Sequence, residues 1–232
     1  MIAGWIELIM SALALLSGGL DSLVASAHAA RHGGLALAIT YDYGQRASAR
    51  EREAASTIAA ELGAEHRVVP LPPLNRSSAL IDRGRAIPSA DAGGLEDPDL
   101  AAQVWVPNRN GLFIHAAACI AASEGLDEII VGFNREEART FPDNSPEFIE
   151  ATNRALTFSL DAPVRVASPT TGLTKAQIVH LGVILAAPLH EVWSCYTEGP
   201  VHCMHCESCL RLKRALELEG IWEKIAPRLG LR

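Results

Sequence analysis

A short glycine-rich segment, residues 17–22 with the sequence Ser-Gly-Gly-Leu-Asp-Ser, constrains this chain more than any other feature. The apolar run before it predicts a buried strand and the residues after it predict a helix, so the segment is the turn between them. Its two glycines let the backbone approach a polyphosphate, and the amides at the helix start meet the negative charge. The predicted phosphate-binding residues are Leu16, Ser17, Gly18, Gly19, Leu20, Asp21 and Ser22.

Asp21 repels phosphate, so its predicted role is to hold a magnesium ion that bridges carboxylate and phosphate. No lysine follows the glycines as it does in the P-loop of nucleoside triphosphatases, and that class is excluded. An ordinary glycine turn capped by serine is the alternative interpretation of the segment.

Strand-like and helix-like segments alternate along the chain, which predicts an α/β fold with a doubly wound, mostly parallel sheet. Strands are predicted over residues 12–16, 35–41, 66–71, 128–131 and 164–167. Helices are predicted over residues 20–31, 48–62, 108–124, 146–159, 175–186 and 207–219. Residues 72–106 have no clear period and are predicted to form a long functional loop. The predicted division is a nucleotide-binding domain over residues 1–188 and a metal-binding segment over residues 189–232 packed on it.

Size and charge limit the class of protein. A chain of 232 residues with 49% hydrophobic content suits one main core, and a net charge of −7 favours a small-molecule substrate over nucleic acid. The apolar start of the chain contains Glu7 and has no basic leader, so a buried strand explains it better than a signal peptide. No apolar run is long enough for a membrane span, and we expect a soluble, cytoplasmic protein without a membrane partner.

Four cysteines, Cys195, Cys203, Cys206 and Cys209, have the spacing C-x7-C-x2-C-x2-C. Four thiolates within fifteen residues suit a closed tetrahedral zinc site with a structural role, and an iron–sulfur cluster is the competing interpretation. His202 and His205 are expected outside the ligand set because the cysteines suffice. The remaining Cys119 is expected to be a small buried residue of a helix.

Several further segments accompany these motifs: Tyr-Asp-Tyr-Gly-Gln-Arg at 41–46, Val-Pro-Asn-Arg-Asn at 106–110, Pro-Asp at 142–143, Thr-Lys at 174–175 and Trp-Ser-Cys at 193–195. In order and spacing the chain resembles the 7-cyano-7-deazaguanine synthase family of queuosine biosynthesis, within the PP-loop superfamily, from residue 15 to about residue 218. The resemblance implies an adenine-nucleotide alpha-hydrolase-like fold. It also implies a homodimeric ligase that joins 7-carboxy-7-deazaguanine and ammonia through adenylate and amide intermediates, with ATP, Mg²⁺ and Zn²⁺.

Residue roles follow from this resemblance and from charge. Arg109 and Lys175, each at a predicted helix start, are expected to stabilise the leaving pyrophosphate and to act with Asp21 as the catalytic set. A carboxylate accepts the paired N–H donors of a guanine-like edge, which makes Asp143 the expected purine contact. The alternative for Arg109 and Lys175 is a solvated surface cation. The alternative for Asp143 is a turn or helix-cap residue. The full predicted set of substrate contacts is Tyr43, Gln45, Arg46, Asn134 and Asp143.

The chain departs from the family pattern after Pro142-Asp143. Asn144 and Ser145 stand where cysteine and arginine are expected, which leaves the contact to the substrate carboxylate unassigned. Three alternatives therefore stay open: a PP-loop ligase that acts on another carboxylate or stops at the amide, a tRNA-modifying PP-loop enzyme, and a non-catalytic zinc adaptor. The acidic net charge disfavours the tRNA-modifying enzyme.

Overall fold

Five parallel strands form the central sheet of the computed structural model, which describes residues 11–72, 74, 78–89 and 98–231. The strands lie in the order β3-β2-β1-β4-β5, and each neighbouring pair is parallel. Their bounds are β1 Ala12–Leu15, β2 Leu35–Asp42, β3 Glu65–Pro70, β4 Glu128–Ile130 and β5 Arg165–Ala167.

The strand order positions the site. β1 pairs with β2 on one side and with β4 on the other, so the chain winds outward in both directions from the centre. In open parallel sheets a crevice opens at the carboxyl ends of the strands where the order reverses. Residues 16–22 follow β1 and residues 131–137 follow β4, which places both segments at that crevice.

Helices cover both faces of the sheet. They are α1 Leu20–His32, α2 Ser48–Glu61, α3 Pro98–Val104, α4 Arg109–Glu124, α5 Arg135–Ala138, α6 Pro146–Ser159, α7 Lys175–Ile184, α8 Glu207–Leu218 and α9 Trp222–Ile225. One apolar cluster joins α1, α2, α7 and α8, and another joins α4 and α6 to the side chains of β1, β2 and β4. The predicted α/β fold with a doubly wound parallel sheet is confirmed.

The C-terminal segment shares a core with the α/β part. Leu212, Leu216 and Ile225 are buried in the same cluster as Leu23 of α1 and Ile178 of α7. Burial of these apolar side chains is the main term that holds the segment against the sheet layer. The predicted division at residues 188 and 189 therefore describes two segments with a common core.

Two structural expectations need correction. The region 72–106, predicted without regular structure, contains the short helix α3, because Ala101 and Val104 bury one face at helical spacing. Within that region, residues 73, 75–77 and 90–97 lie outside the described residues, as do residues 1–10 of the apolar start. Cys119, expected to be buried, is exposed on α4 because Ala117, Ala118 and Ala121 form the packed face of that helix. Among the helices that the structure describes, none combines the length and the apolar character needed to cross a bilayer.

Gly132, just after β4, lies against the start of α1 and leaves no room for a side chain. A Cβ atom there would lie 2.4 Å from the Ser22 nitrogen and 2.6 Å from the Asp21 carbonyl carbon. We expect Gly132→Ala to displace the start of α1, to lower stability by about 1–3 kcal/mol and to weaken ATP binding. Gly172→Ala, whose Cβ would meet nothing within 4 Å, is the matched control. Denaturant unfolding and nucleotide titration of both variants check this, and equal behaviour would contradict it.

Candidate active site and metal centre

The loop after β1 has the shape of an anion cradle. Gly18 adopts φ +83°, and a Cβ atom there would lie 2.9 Å from the Ala54 Cβ, so glycine is required. The Ser17 amide donates to the Ser22 Oγ at 3.2 Å, and the Gly19 amide donates to the Ser17 Oγ at 3.3 Å. These bonds fix the turn and direct two hydroxyl groups to the start of α1, where the helix dipole favours negative charge.

A cluster of charges lies directly beside this loop. The Lys175 Nζ donates to one Asp21 carboxylate oxygen, Oδ2, and at 2.7 Å to the Glu137 Oε1. The Asn134 side chain also donates to the Asp21 Oδ2, at 3.3 Å. Lys175 begins α7, Asp21 lies in the first turn of α1 and Glu137 lies in α5, so three distant parts of the sequence meet at one ammonium group.

Burial and mutual attraction set the protonation of this cluster. Burial raises the pKa of Asp21 to about 6, although Lys175 acts in the opposite direction. Burial also acts to raise the pKa of Glu137, but the attraction of Lys175 prevails and lowers it. The two carboxylates raise the pKa of Lys175 against the effect of burial. Near neutral pH two carboxylates therefore face one ammonium group, which leaves the cluster attractive to a cation.

The second Asp21 oxygen gives that cation a ligand. Among the described residues, the buried Asp21 Oδ1 has no hydrogen-bond partner. An unpaired buried carboxylate oxygen is costly unless a donor or a cation satisfies it, and carboxylate oxygen is the ligand type that Mg²⁺ prefers. The residues at this position fit a magnesium ion next to the phosphate loop.

The loop and the charged cluster open into a cavity of about 300 Å³. Most of the predicted site residues line it: Leu16, Ser17, Gly19, Leu20, Asp21, Ser22, Tyr43, Gln45, Arg46, Arg109, Asp143 and Lys175. Gly18 and Asn134 lie outside the lining and act through their neighbours. Gly18 allows the turn, whereas Asn134 caps α5 by accepting from the Glu136 and Glu137 amides while it holds Asp21.

Arg109 and Tyr43 form a polar wall of the cavity. Arg109 donates to the Tyr43 hydroxyl group at 3.3 Å, and burial raises the pKa of Tyr43, so its hydroxyl group remains protonated. Asp143 is half-buried nearby, and burial raises the pKa of its carboxyl group while Arg109 opposes that shift. The wall combines a hydroxyl group, a guanidinium group and a carboxylate, which suits a heterocycle that carries both donors and acceptors.

Gln45 and Arg46 are held by the protein's own polar groups. The Gln45 amide oxygen accepts from the Tyr43 amide at 2.9 Å, and its nitrogen donates to the Tyr41 carbonyl and to the Glu51 carboxylate. Arg46 donates to the carbonyls of Asp82 and Arg85. Both residues line the cavity, but their observed contacts shape its wall and hold the segment 78–89 against it.

The four cysteines converge as predicted. Their sulfur atoms all lie within 4.8 Å of one another, and each cysteine is free of disulfides. Hydrogen bonds from the Cys206 and Cys209 thiols lower the pKa of Cys195, and the shared bonding raises the pKa of Cys206 to about 12. One thiolate therefore suppresses ionisation of its neighbours, a conflict that a bound dication removes because it stabilises all four thiolates.

Neither histidine belongs to the cysteine cluster. The His202 Nε2 accepts from the Ser194 amide at 3.2 Å and the ring packs on Trp193, whereas His205 is exposed and contacts the Cys203 carbonyl. The four clustered sulfur atoms therefore form a group without either histidine among the described residues.

The cysteine cluster is joined to the phosphate loop through Trp193. The Trp193 amide donates to the Gly18 carbonyl at 2.9 Å, two residues before the first cysteine of the cluster, Cys195. Tyr196, one residue after Cys195, lines the cavity. The cysteine cluster therefore anchors a segment that supports the loop and completes the cavity wall.

Sequence reasoning missed several charged residues of the cavity. Glu137 binds Lys175, Glu136 accepts from the Lys175 amide at 2.8 Å, and Arg211 pairs with both Glu136 and Glu207. A signal was available for Glu137. Asn134 followed three residues later by glutamate is a helix-capping pattern, and it comes four residues after the last residue of β4. Arg211 gave no such signal because it lies in an ordinary amphipathic helix.

Comparison with known proteins adds the following. Residues 11–220 match the family model of the queuosine biosynthesis protein QueC. A protein of Pelotomaculum thermopropionicum described as 7-cyano-7-deazaguanine synthase is 46% identical over 218 residues, which cover 91% of this chain and 99% of the relative. Proteins with the same description from Desulforudis audaxviator and Methanosarcina mazei are 48% and 41% identical, over 91% and 96% of this chain and 98% and 100% of their own lengths.

The cysteine cluster makes a direct prediction about metal content. Cys206 is a buried member of the cluster and the N-cap of α8, so Cys206→Ser should lose bound metal and lower the melting temperature together. Cys119→Ser, at an exposed cysteine outside the cluster, should retain both. Elemental analysis and thermal unfolding of the two proteins measure the effect. A full metal complement in Cys206→Ser would refute the assignment of this ligand.

Proposed function

This chain belongs to the queuosine biosynthesis protein QueC family and is an ATP-dependent ligase, and on that premise we propose the course of its reaction. The substrates are 7-carboxy-7-deazaguanine, ammonia and ATP, and the product is 7-cyano-7-deazaguanine. The observation that carries the proposal is the junction of the phosphate loop, the Asp21–Lys175–Glu137 cluster and a heterocycle-sized cavity in one site.

The first step is adenylation. A carboxylate oxygen of the substrate attacks the α-phosphorus of ATP, and the bond from that phosphorus to the bridging β-oxygen breaks, which releases pyrophosphate. The amides and hydroxyl groups of residues 17–22 bind the β- and γ-phosphates. Lys175 and Arg109 stabilise the negative charge that develops on the leaving group. Asp21 would hold Mg²⁺ at this position, and the bound ion would neutralise phosphate charge.

The two nitrogen steps use the same cavity. Ammonia attacks the acyl-adenylate carbon and expels AMP, giving the primary amide. The amide oxygen then attacks the α-phosphorus of a second ATP with release of pyrophosphate, and that oxygen departs as part of AMP while two protons leave the nitrogen, which gives the nitrile. Both activations require the reacting oxygen to lie beside the phosphate loop, so the ring has the same pose in each.

Substrate recognition rests on the cavity wall formed by Arg109, Tyr43 and Asp143. Tyr43 and Asp143 contact the deazaguanine ring, with the Asp143 carboxylate accepting from its N–H edge. Gln45, Arg46 and Asn134 act as positioning residues, because their polar groups already bind the protein. Asn144, buried beside Asp143 and in the place of the expected cysteine, lines the same wall.

The remaining assignments follow from the family and from composition. The cysteine cluster binds one structural Zn²⁺, and the domain division is 1–188 and 189–232. The enzyme acts in the cytoplasm as a homodimer on small molecules. Nucleic acid is not its substrate, since the net charge of −7 opposes a phosphate backbone.

Identification of the product distinguishes an enzyme that forms the nitrile from one that stops at the amide. Purified enzyme given ATP, ammonium and 7-carboxy-7-deazaguanine should form 7-cyano-7-deazaguanine, and the 7-amido compound should give the same nitrile in an ATP-dependent reaction. Mass spectrometry with isotopically labelled ammonium identifies each product. Accumulation of amide alone would make the enzyme an amide ligase, and no consumption of either compound would move the substrate elsewhere.

Asp21→Asn tests the loop assignment because it keeps the side-chain shape and removes the charge that Lys175 and a metal ion both need. We expect pyrophosphate release to fall at least ~100-fold. Asp161→Asn, at an exposed aspartate outside the cavity lining, is the control for net charge and should be unaffected. Undiminished release of pyrophosphate in Asp21→Asn would show that the loop is not the reaction site.

A further inference from the structure

A second concave region adjoins the active site. This groove, also about 300 Å³, lies between α5, the start of α7 and the outer face of α8. Its lining residues are Arg135, Glu136, Arg139, Thr174, Lys175, Ala176, Arg211, Arg214, Ala215 and Leu218. Three of them, Glu136, Lys175 and Arg211, also line the active-site cavity and form the partition between the two spaces.

The groove is strongly positive on an acidic protein. Five lining side chains are cationic and one is acidic, although the chain has a net charge of −7. Glu136 does not neutralise the arginines at the rim, because its two oxygens accept from the Lys175 amide and from Arg211. Across the part of the chain that the structure describes, the exposed residues Arg135, Arg139 and Arg214 have no carboxylate partner.

Some arginines elsewhere pair with acids, and others, such as Arg31, Arg154 and Arg228, are exposed without lining the groove. Arg52 contacts Asp42, Arg67 contacts Glu124 and Arg83 contacts Glu198. Like charges repel, so three unpaired guanidinium groups around one concavity are unfavourable unless an anion neutralises them. Guanidinium groups bind phosphate oxygens in a bidentate manner, which makes a phosphate-bearing ligand the best match.

The start of α7 contributes to the same concavity. Thr174 caps this ten-residue helix through a capping box with Gln177, and Ala176 lies in its first turn facing the groove. The Lys175 amide is engaged by Glu136 and the Gln177 amide by the Thr174 hydroxyl group, so the start of α7 contributes the Ala176 amide and the partial positive charge of the helix dipole. The helix start is thus a second, independent feature that favours an anion there.

From these observations we propose that the groove binds inorganic pyrophosphate as it leaves the phosphate loop. The inference rests on the proposed function, because adenylation generates pyrophosphate beside Lys175, at the partition between the two spaces. The ligand carries several negative charges and no apolar part, which matches three free guanidinium groups and a helix start. No bond forms or breaks in this step. Pyrophosphate leaves its contacts with Lys175 and the phosphate loop and binds Arg135, Arg139 and Arg214. The next ATP can then enter the active-site cavity.

Direct binding tests the groove without turnover. Phosphorus NMR and calorimetric titration with inorganic pyrophosphate, in the absence of nucleotide, should show two equivalents bound by the unmodified protein. The triple variant Arg135→Glu, Arg139→Glu, Arg214→Glu should bind one. A control with the same change in net charge, Arg31→Glu, Arg154→Glu, Arg228→Glu, alters exposed arginines outside the groove and should still bind two.

Product inhibition provides the kinetic counterpart. In the groove variant, the pyrophosphate concentration that halves activity should rise about tenfold, which corresponds to ~1.4 kcal/mol of lost binding. A neutral version with three glutamines should show the same direction, which separates loss of the site from misfolding. Circular dichroism of each variant should match that of the unmodified protein.

The outcomes are distinct. Equal pyrophosphate binding by the groove variant and the control would overturn the proposal, and so would preferential binding of a single-stranded oligonucleotide or an acidic peptide by the groove. If the enzyme fails to adenylate its substrate but the second pyrophosphate equivalent persists, the proposed function fails while the groove stands. Normal adenylation with one equivalent bound by the unmodified protein would reject the groove alone.

Discussion

The buried ammonium group of Lys175 is the contact on which the site depends. It joins the first turn of α1 to α5 through Asp21 and Glu137, while its own backbone amide is held by Glu136. A buried charge pair gains its stability from complete partnering, and removal of one partner from such a pair typically costs ~3–5 kcal/mol. The phosphate loop, the strand end after β4 and the start of α7 are therefore placed by a single set of contacts.

The cysteine cluster extends this arrangement to the C-terminal segment. Trp193 binds the Gly18 carbonyl, Cys195 and Tyr196 follow at once, and the other three cysteines lead into α8. Metal binding would order a segment of 15 residues, 195–209, that has few buried apolar side chains besides the cysteines themselves. A metal ion bound by these cysteines would support the loop from outside the cavity, and its binding energy would become part of the stability of the site.

The local charge of the two concave regions differs from the net charge of the chain. The chain as a whole has a net charge of −7, while the cationic side chains that line the two concave regions create local attraction for phosphates. Glu136 and Arg211 separate the regions by pairing with each other. Because that pair is partly exposed, its contribution to stability is small, and its more important effect is to keep Glu136 from neutralising the rim arginines.

Local patterns were sufficient for the fold class, the phosphate loop and the four cysteines. Strand, glycine turn and helix follow one another in the chain, and the cysteines lie within fifteen residues, so short-range sequence carries the information. The helix α3 was not predicted because its two buried positions, Ala101 and Val104, lie among turn-forming residues. Glu137 and Arg211 became site residues only when Lys175 and Glu136 were brought to them from 38 and 75 positions away. Long-range packing of α5, α7 and α8 decides which of many similar charged residues face the cavity, and no local pattern records that choice.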